Sequence, residues 1–521
     1  MFTPQPEEFD HYFSTGKRVP VMLEVPAIEE NPVNVIEKLN LSGQRLCLLE
    51  SGTGTETCNR YSFIGFDPHS IFKSSGSLGE VIKGETSAAF QGNPFEQLQA
   101  ITDSYKGVRP PGMPKFWGGA MGYFSYDMGR HFENLPELTE DDLEVPEAYF
   151  MFFDKVICIN HLAKTIKIIV TADPGSFANS EQAYRITSRE VLKIKEMLEE
   201  EPVYEDITIG GFDRAIQYKF DPECNVTKAQ FEDMVTKCKE YIRAGDIFQA
   251  NLSLRLGKST EVPPLFLYKV LRQINPSPYM SFIDFGDMHI VSSSPELLVK
   301  LTDELAETRP IAGTRRRGAD REEDLDLARE LITNEKERAE HIMLVDLERN
   351  DLGRVCRFGT VEVNELMVIE EYSHVMHIVS NVRGQMAEGK SRFDVFRACF
   401  PGGTITGAPK IRSMEIIEEL EPTRRGPYTG SIGFFGYAGE MEMNIVIRTF
   451  LMKNGTAYVQ AGAGIVADSV PEEEYYESLK KAEALLRALE VAEEIAEAKG
   501  LSGAPGGQKD KLEFEEDAAI A

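Results

Sequence analysis

The run Glu335 to Arg354, EKERAEHIMLVDLERNDLGR, narrows the folds open to this chain more than any other stretch. Its middle is apolar on most sides, with Ala339, Ile342, Met343, Leu344, Val345 and Leu347 leaving little surface for water. A helix of that kind is ordinarily buried, so other elements must surround it. Glu337, Glu340 and His341 stand at i, i+3 and i+4 and share one face. Two carboxylates and an imidazole on a buried helix must be paired, protonated or bound to a cation, because uncompensated buried charge is too costly. Lys336 and Arg338 offer the simpler solution, a salt-bridged helix, and the segment by itself favours it.

A chain of 521 residues has room for two lobes or one large mixed domain around such a helix. With 85 acidic and 56 basic residues the formal charge is -29, which disfavours a nucleic-acid or anionic-membrane partner. An anionic small substrate remains possible if a pocket supplies its own arginines and backbone amides, since exposed charge is screened over ~8 Å. The 7 cysteines are an odd number without CxxC spacing, which fits a reducing compartment. MFTPQPEEFDHYFSTGKR has no apolar signal core, and no run approaches the ~20 apolar residues of a membrane helix. The expectation is a cytoplasmic protein.

The first third is strand-rich: RLCLLES at 45 to 51, RYSFIG at 60 to 65, GGAMGYFSYD at 118 to 127, YFMFFDKVICI at 149 to 159 and KTIKIIVT at 164 to 171. A charged amphipathic helix over 185 to 200 leads into a loosely patterned link ending near residue 225. Thr227 and Gln230 have capping-box spacing before the stripe Phe231, Met234, Cys238 and Tyr241, and Gly245 ends that helix. From Phe248 to Leu256 apolar residues alternate with Gln249, Asn251, Ser253 and Arg255, so a strand has one core face and one polar face. That polar row meets water by default, or lines a pocket.

NPSPYM at 275 to 280, SSSPE at 292 to 296 and RPIAGTRRRG at 309 to 318 carry the punctuation of loops that present backbone N–H groups to an anion. In YSHVMHIV at 372 to 379, His374 and His377 point to opposite sides of a strand. FPGGTITGAPK at 400 to 410 sets free amides before a helix over 411 to 420, without matching Walker A or GxGxxG. Strands over 430 to 437 and 443 to 451 precede VQAGAGIVAD at 459 to 468, whose small residues let a backbone approach a ligand. A helix over 471 to 490, capped by Asp468 or Ser469, opens with Glu472, Glu473, Glu474 and Glu477, as its dipole favours. The polar, Gly-rich residues 497–521 read as a disordered tail.

In this order the segments SSSPE, RPIAGTRRRG, EKERAEHIMLVDLERNDLGR, HVMHIVS, FPGGTITGAPKIRSMEII, GPYTGSIGFF, IVIRT and QAGAGIVADSVPEEEYYE form a specific set. The chain resembles the chorismate-utilising enzymes, and is most similar to anthranilate synthase component I. The resemblance implies an α+β fold: large mixed or antiparallel sheets in a sandwich-like core flanked by helices, in two intimately packed lobes. It implies a strand-rich lobe with a tryptophan feedback site at 1–225 and a chorismate-binding catalytic domain at 226–490.

The resemblance also implies residue roles. Glu340 and Glu477 bind Mg2+, supported by Glu337 and Glu474; each pair is i, i+3 on its helix, and magnesium takes oxygen ligands while keeping positions open for substrate. Gly313, Thr314, Tyr428, Arg448, Gly462, Ala463 and Gly464 hold chorismate. Glu296 is the acid that protonates the departing C4 hydroxyl, His377 the active-site histidine, and Thr406 a further pocket residue. Ser51, Pro278, Tyr279 and Met280 match the tryptophan inhibitor site.

Gln249 and Ala312 bear on the product. Isochorismate and salicylate synthases carry a water-activating lysine where this chain has Gln249, and many aminodeoxychorismate synthases a nucleophilic lysine where it has Ala312. Ammonia attack at C2 followed by pyruvate elimination, giving anthranilate, is the implied reaction. QANLS at 249 to 253 and FPGGTITG at 400 to 407 are closer to aminodeoxychorismate synthases, which stand as the alternative; an inactive tryptophan-sensing subunit is a third reading. No cysteine sits in the Gly-x-Cys-x-Gly elbow of an amidotransferase, so the implied ammonia source is a separate glutaminase subunit, in a heterotetramer of two large and two small subunits.

Overall fold

The alternating segment after Gly245 becomes the strand Gln249–Ser259, and the glycine ends the preceding helix Lys228–Ala244 in the left-handed conformation at φ 86°. Thr227 and Gln230 close the reciprocal capping box. The structure, a computed structural model, describes residues 1–27, 31–52, 60–200, 209, 219–372 and 375–500. Cys58, His374 and tail residues 501–521 lie outside the described residues.

Two large antiparallel sheets of 13 and 12 strands carry the fold, which is α+β as expected. Apart from the short strand Glu223–Cys224, which pairs with Gln249–Ser259 at the far edge of the first sheet, residues 1–225 and 226–490 each contribute a contiguous part of both sheets. They join where Leu46–Glu50 pairs with Tyr279–Asp284 in the first sheet, and where Gly119–Phe124 pairs with Ser431–Gly436 in the second. Between the sheets lies an apolar layer rich in aromatic rings, including Phe63, Phe116, Trp117, Tyr149, Phe153 and Phe434. The outer face of the first sheet is covered by helices that include Lys228–Ala244, Pro264–Ile274 and Pro471–Ala498, and that of the second by Pro94–Ser104, Glu335–Gly353 and Arg392–Cys399. The layering is helix, sheet, sheet, helix.

Several expected elements change where the chain passes from one sheet to the other. The expected strand over 149 to 159 is two strands, Ala148–Phe153 in the second sheet and Lys155–Asn160 in the first, with Asp154 at the crossing. The expected strand over 443 to 451 likewise breaks into Met441–Ile445 and Thr449–Lys453. Apolar residues continue across both crossings because both sheets face the same core, so hydrophobicity alone does not mark the break. Phe248, expected on the core face, is 72% exposed and precedes the strand. The last helix begins after Val470 with no side-chain cap, rather than at Asp468 or Ser469, and runs to Ala498.

The Glu335–Gly353 helix departs most from expectation. It is covered on one side only, by a stripe of His341, Leu344, Val345, Glu348, Asp351 and Leu352, while Ile342 is 48% exposed. Polar residues occupy part of the buried stripe, which is why the apolar run misjudged its orientation. No helix among the described residues is long and apolar enough to cross a membrane.

Candidate active site

Two crossings between the sheets lie side by side and build the centre of the site. Ser294 ends a strand of the first sheet and Leu297 begins one of the second, with Glu296 between them; Arg448 lies on the return crossing, at φ 51°. Backbone hydrogen bonds tie the crossings together: Ser293 N to Arg448 O at 3.1 Å and Ile445 N to Glu296 O at 3.0 Å. The Ser294 hydroxyl donates to Ile445 O at 2.5 Å.

Glu296 is 5% exposed and its Oε1 has no hydrogen-bond partner. Burial pushes its pKa up to about 7, opposed only in part by the Thr404 hydroxyl, the Ile311 amide and the Arg448 guanidinium. The carboxyl is therefore a proton donor near neutrality. The Arg448 side chain makes no hydrogen bond or ion pair among the described residues, and burial lowers its pKa against the pull of Glu296. A desolvated guanidinium left without a partner is suited to an anionic ligand.

His377 stands on Val375–Gln385, paired with Thr314 of Ile311–Arg316. The register shifts between Ala312 and Thr314, and Gly313 takes up the bulge at φ 63°, where a side chain would be strained. His377 Nδ1 lies 3.0 Å from Gly313 O and 3.0 Å from Thr314 Oγ1. Since Gly313 O only accepts, Nδ1 carries the proton and Nε2 is free to accept. Burial drives the pKa of His377 down to about 4, with Arg448 pushing the same way, so the ring is neutral at physiological pH. Ala312, beside it, is buried.

The third wall is the glycine strand. Gly462, Ala463 and Gly464 pair with Ser253, Leu252 and Asn251. A Cβ on Gly464 would lie 2.4 Å from Gln249 Nε2, and one on Gly462 would lie 2.7 Å from Asn251 Oδ1. Glycine thus lets two polar side chains lie against the backbone. Gln249 and Asn251 are buried, and their amide oxygens lack partners, so the polar row of this strand lines an interior space rather than meeting water.

The helix carboxylates connect to both groups. A Cβ on Gly313 would fall 2.9 Å from Glu337 Oε2, and Glu337 pairs with Arg315 at 3.0 Å. Lys481 Nζ reaches Glu477 Oε1 at 2.8 Å and Gly462 O at 2.9 Å. Burial, and then the charge of Glu337, raise the pKa of Glu340, with Glu477 adding to the effect and Lys481 and Lys336 opposing it. Glu474 is likewise raised by burial, with Glu477 contributing. Among the described residues no three acidic, histidine or cysteine side chains enclose a metal by themselves. An oxygen-only pair of carboxylates from two helices fits a hard cation that completes its shell with water and substrate. His341, on the same helix, is fully buried on the Ser380 hydroxyl at 2.6 Å and takes no part.

Thr406 and Tyr428 stand behind this group. The Thr406 hydroxyl donates to Gly402 O at 2.8 Å, and its carbonyl receives Asn251 N at 2.8 Å. Arg425, which sequence reasoning missed, holds the layer together: it pairs with Glu421 at 2.7 Å, donates to Asn251 O at 2.6 Å and Ile405 O at 3.1 Å, and stacks over Tyr428 at 5.6 Å. Its neighbour in sequence, Arg424, is of the same type, so nothing local marked it.

Ser51, Pro278, Tyr279 and Met280 meet in a different cavity, with Tyr61, Lys115, Phe434, Glu442 and Asn444. The pairing of Met280 with Glu50 and the bond from Gly52 N to Ser277 O at 3.0 Å bring the two distant segments together. Lys115 and Glu442 form an ion pair of 2.5 Å on its wall.

A buried carboxyl held near neutrality, an arginine without a partner among the described residues and carboxylates from two helices stand near the crossings between two antiparallel sheets, and the arrangement defines a class. The sequence profile of the chorismate-binding enzymes matches residues 47–487, and the chain belongs to that family. It is an enzyme that acts on chorismate. Component 1 of anthranilate synthase from Acetivibrio thermocellus is 46% identical over 500 residues, covering 95% of this chain and 100% of that one. Component 1 of aminodeoxychorismate synthase from Bacillus subtilis (strain 168) is 46% identical over 487 residues, covering 92% and 99%. The crystal structure of anthranilate synthase component I from Streptococcus pneumoniae TIGR4 superposes with a TM-score of 0.73 at 34% identity, over 82% of this chain and 92% of that one.

Proposed function

We propose that this chain aminates chorismate at C2 with ammonia and eliminates pyruvate to give anthranilate. The observation that carries the reading is the placing of Glu296 beside Arg448 without an ion pair: an acid poised near neutral pH next to a buried cation that has no partner among the described residues. Arg448 and the backbone of Gly313, Thr314 and Gly462 to Gly464 bind and orient the substrate carboxylates. Glu296 delivers its proton to the C4 hydroxyl, which leaves as water while ammonia attacks C2. Neutral His377, with Nε2 as acceptor, takes the ring proton when the enolpyruvyl group departs. Mg2+ on Glu340 and Glu477, supported by Glu337 and Glu474, would neutralise a substrate carboxylate. The reading includes a separate glutaminase subunit as ammonia source, and tryptophan as an inhibitor in the cavity of Ser51, Pro278, Tyr279 and Met280.

A second reading, release of 4-amino-4-deoxychorismate, is favoured by QANLS and FPGGTITG and by the 46% identity to the Bacillus subtilis enzyme. Incubation of the chain with chorismate, ammonium and Mg2+ decides between them. A fluorescent aromatic amine together with pyruvate is expected; a non-aromatic amine without pyruvate selects the second reading.

A further inference from the structure

The edge of Gln249–Ser259 that faces away from the glycine strand is paired by two short strands with a gap between them. Gly407–Ala408 pairs with Gln249 and Ala250, and Glu223–Cys224 with Leu256 and Gly257. Within the gap, Asn251 N reaches Thr406 O at 2.8 Å and Arg255 N reaches Asn225 Oδ1 at 2.8 Å. The two backbone groups between them are met by side chains. Arg425 donates to Asn251 O at 2.6 Å, and Glu421 Oε1 accepts both Ser253 N and Ser253 Oγ at 2.8 Å. A buried ion pair here takes the place of a neighbouring strand and satisfies main-chain groups that burial would leave orphaned.

Arg425 commits every N–H of its guanidinium. Besides Asn251 O, it donates to the two Glu421 oxygens at 2.7 and 2.9 Å, to Ile405 O at 3.1 Å and to Thr429 Oγ1 at 3.2 Å. It also lies over the rings of Tyr126, at 4.7 Å, and Tyr428, at 5.6 Å. The acceptors belong to the walls of the site. Ile405 precedes Thr406, and Asn251 stands opposite Gly464. Thr429 follows Tyr428 at φ 59°, a backbone state that a β-branched residue keeps only where its surroundings fix it. Its hydroxyl donates to Tyr428 O at 2.6 Å. Its amide donates to Val446 O at 2.7 Å, and Val446 N returns a bond to Gly430 O at 3.0 Å, two residues before Arg448.

We propose that Arg425 is a positioning residue for chorismate: fixed by Glu421, it sets Tyr428 and, through Thr429 and Val446, Arg448 in place to receive the substrate. The inference rests on the reading of Tyr428 and Arg448 as substrate contacts. Arg425 does not itself bind chorismate, because its donors are all taken inside the protein. Its role depends on the planar fork rather than on charge alone, since five acceptors on four segments are reached from one rigid group. Glu421 holds that fork in orientation through two of the five bonds and anchors the strand at Ser253 with the same carboxylate.

The test uses the full chain with chorismate, ammonium and Mg2+, and reads thermal unfolding beside the KM of each substrate. Replacing both members of the pair, Glu421→Leu with Arg425→Met, leaves no buried charge unpaired and should keep the melting temperature close to that of the unsubstituted chain. Chorismate KM should nevertheless rise by about 10- to 100-fold, the scale of a lost support behind a binding group, with the KM for ammonium changed by less than about twofold. Arg425→Lys keeps the charge but not the fork; it should lie between the two and carries the test if the double variant does not fold. Tyr428→Phe should raise chorismate KM in the unsubstituted chain and add little in the double variant, whose ring is already displaced. A chorismate KM that responds to Tyr428→Phe but not to the Arg425 variants overturns the proposal alone, as does an equal rise for both substrates. If Tyr428→Phe leaves chorismate KM unchanged in the unsubstituted chain, the contact assignment falls and the positioning role with it.

Discussion

The carbonyl of Glu296 accepts the amide of Ile445 at 3.0 Å, three residues before Arg448. That bond sets an acid and a cation next to each other without letting them pair. Arg448→Met should remove a charge-assisted substrate contact worth ~1.5–3 kcal/mol, or about 10- to 100-fold in kcat/KM. The loss should fall mainly on KM for chorismate, with Arg448→Lys between the two. Steady-state kinetics check this, and an unchanged KM would detach Arg448 from the substrate.

Glu296 must be protonated to act. Its pKa is raised from 4.5 to about 7, so kcat/KM should be level below that pH and fall about tenfold per unit above it. The same shift has a stability side: the folded state favours the neutral form, a contribution present below pH 4.5 and lost as pH rises through 7. His377, held near 4, should give no inflection between pH 5 and 7. A pH–rate profile of the free enzyme at saturating Mg2+ tests both statements.

Glu340→Gln removes one of the two carboxylates assigned to Mg2+ and a source of repulsion for Glu337. Turnover at millimolar Mg2+ should fall by at least about 100-fold, on the scale of a lost catalytic metal contact, while thermal stability without metal is kept or rises. Calorimetric titration of Mg2+ with each form checks the binding directly. Full activity in Glu340→Gln would remove the assignment.

The cavity of Ser51, Pro278, Tyr279 and Met280 has an ionic wall in Lys115 with Glu442. Tryptophan should bind there and inhibit, and Lys115→Met should weaken binding by about tenfold, the worth of one partly buried charged contact. Calorimetry with tryptophan reads both effects. Absence of heat with the unsubstituted chain would end the inhibitor assignment.

Much of this arrangement is legible in the residues themselves. Gly245, the Thr227 capping box and the alternation after Phe248 placed the helix and the start of the strand to within a residue, because caps and period-two patterns are local, while the strand runs on to Ser259, three residues past the expected end. The motif segments named residues that the structure groups around Glu296 and Arg448. What sequence could not show is where a strand leaves one sheet for the other, as at Asp154 and Arg448, since the core is apolar on both sides of the crossing. Nor could it show that Glu348 is buried: on a helix read as a run, a charged residue looks like surface, and only the neighbouring sheet decides which side is covered.

The two seams of the molecule join residues far apart in the chain, Leu46–Glu50 with Tyr279–Asp284 and Gly119–Phe124 with Ser431–Gly436. At ribosomal speeds the first partner of the later seam waits on the order of tens of seconds for its complement to be made. During that interval the emerging half presents two bare sheet edges rich in Leu, Phe and Met, the geometry that invites wrong pairing with another nascent chain. An active site assembled from segments translated after Gln249 therefore ties its completion to successful escape from aggregation, and predicts that yield in a cell depends on holdase chaperones more than on the final stability of the enzyme.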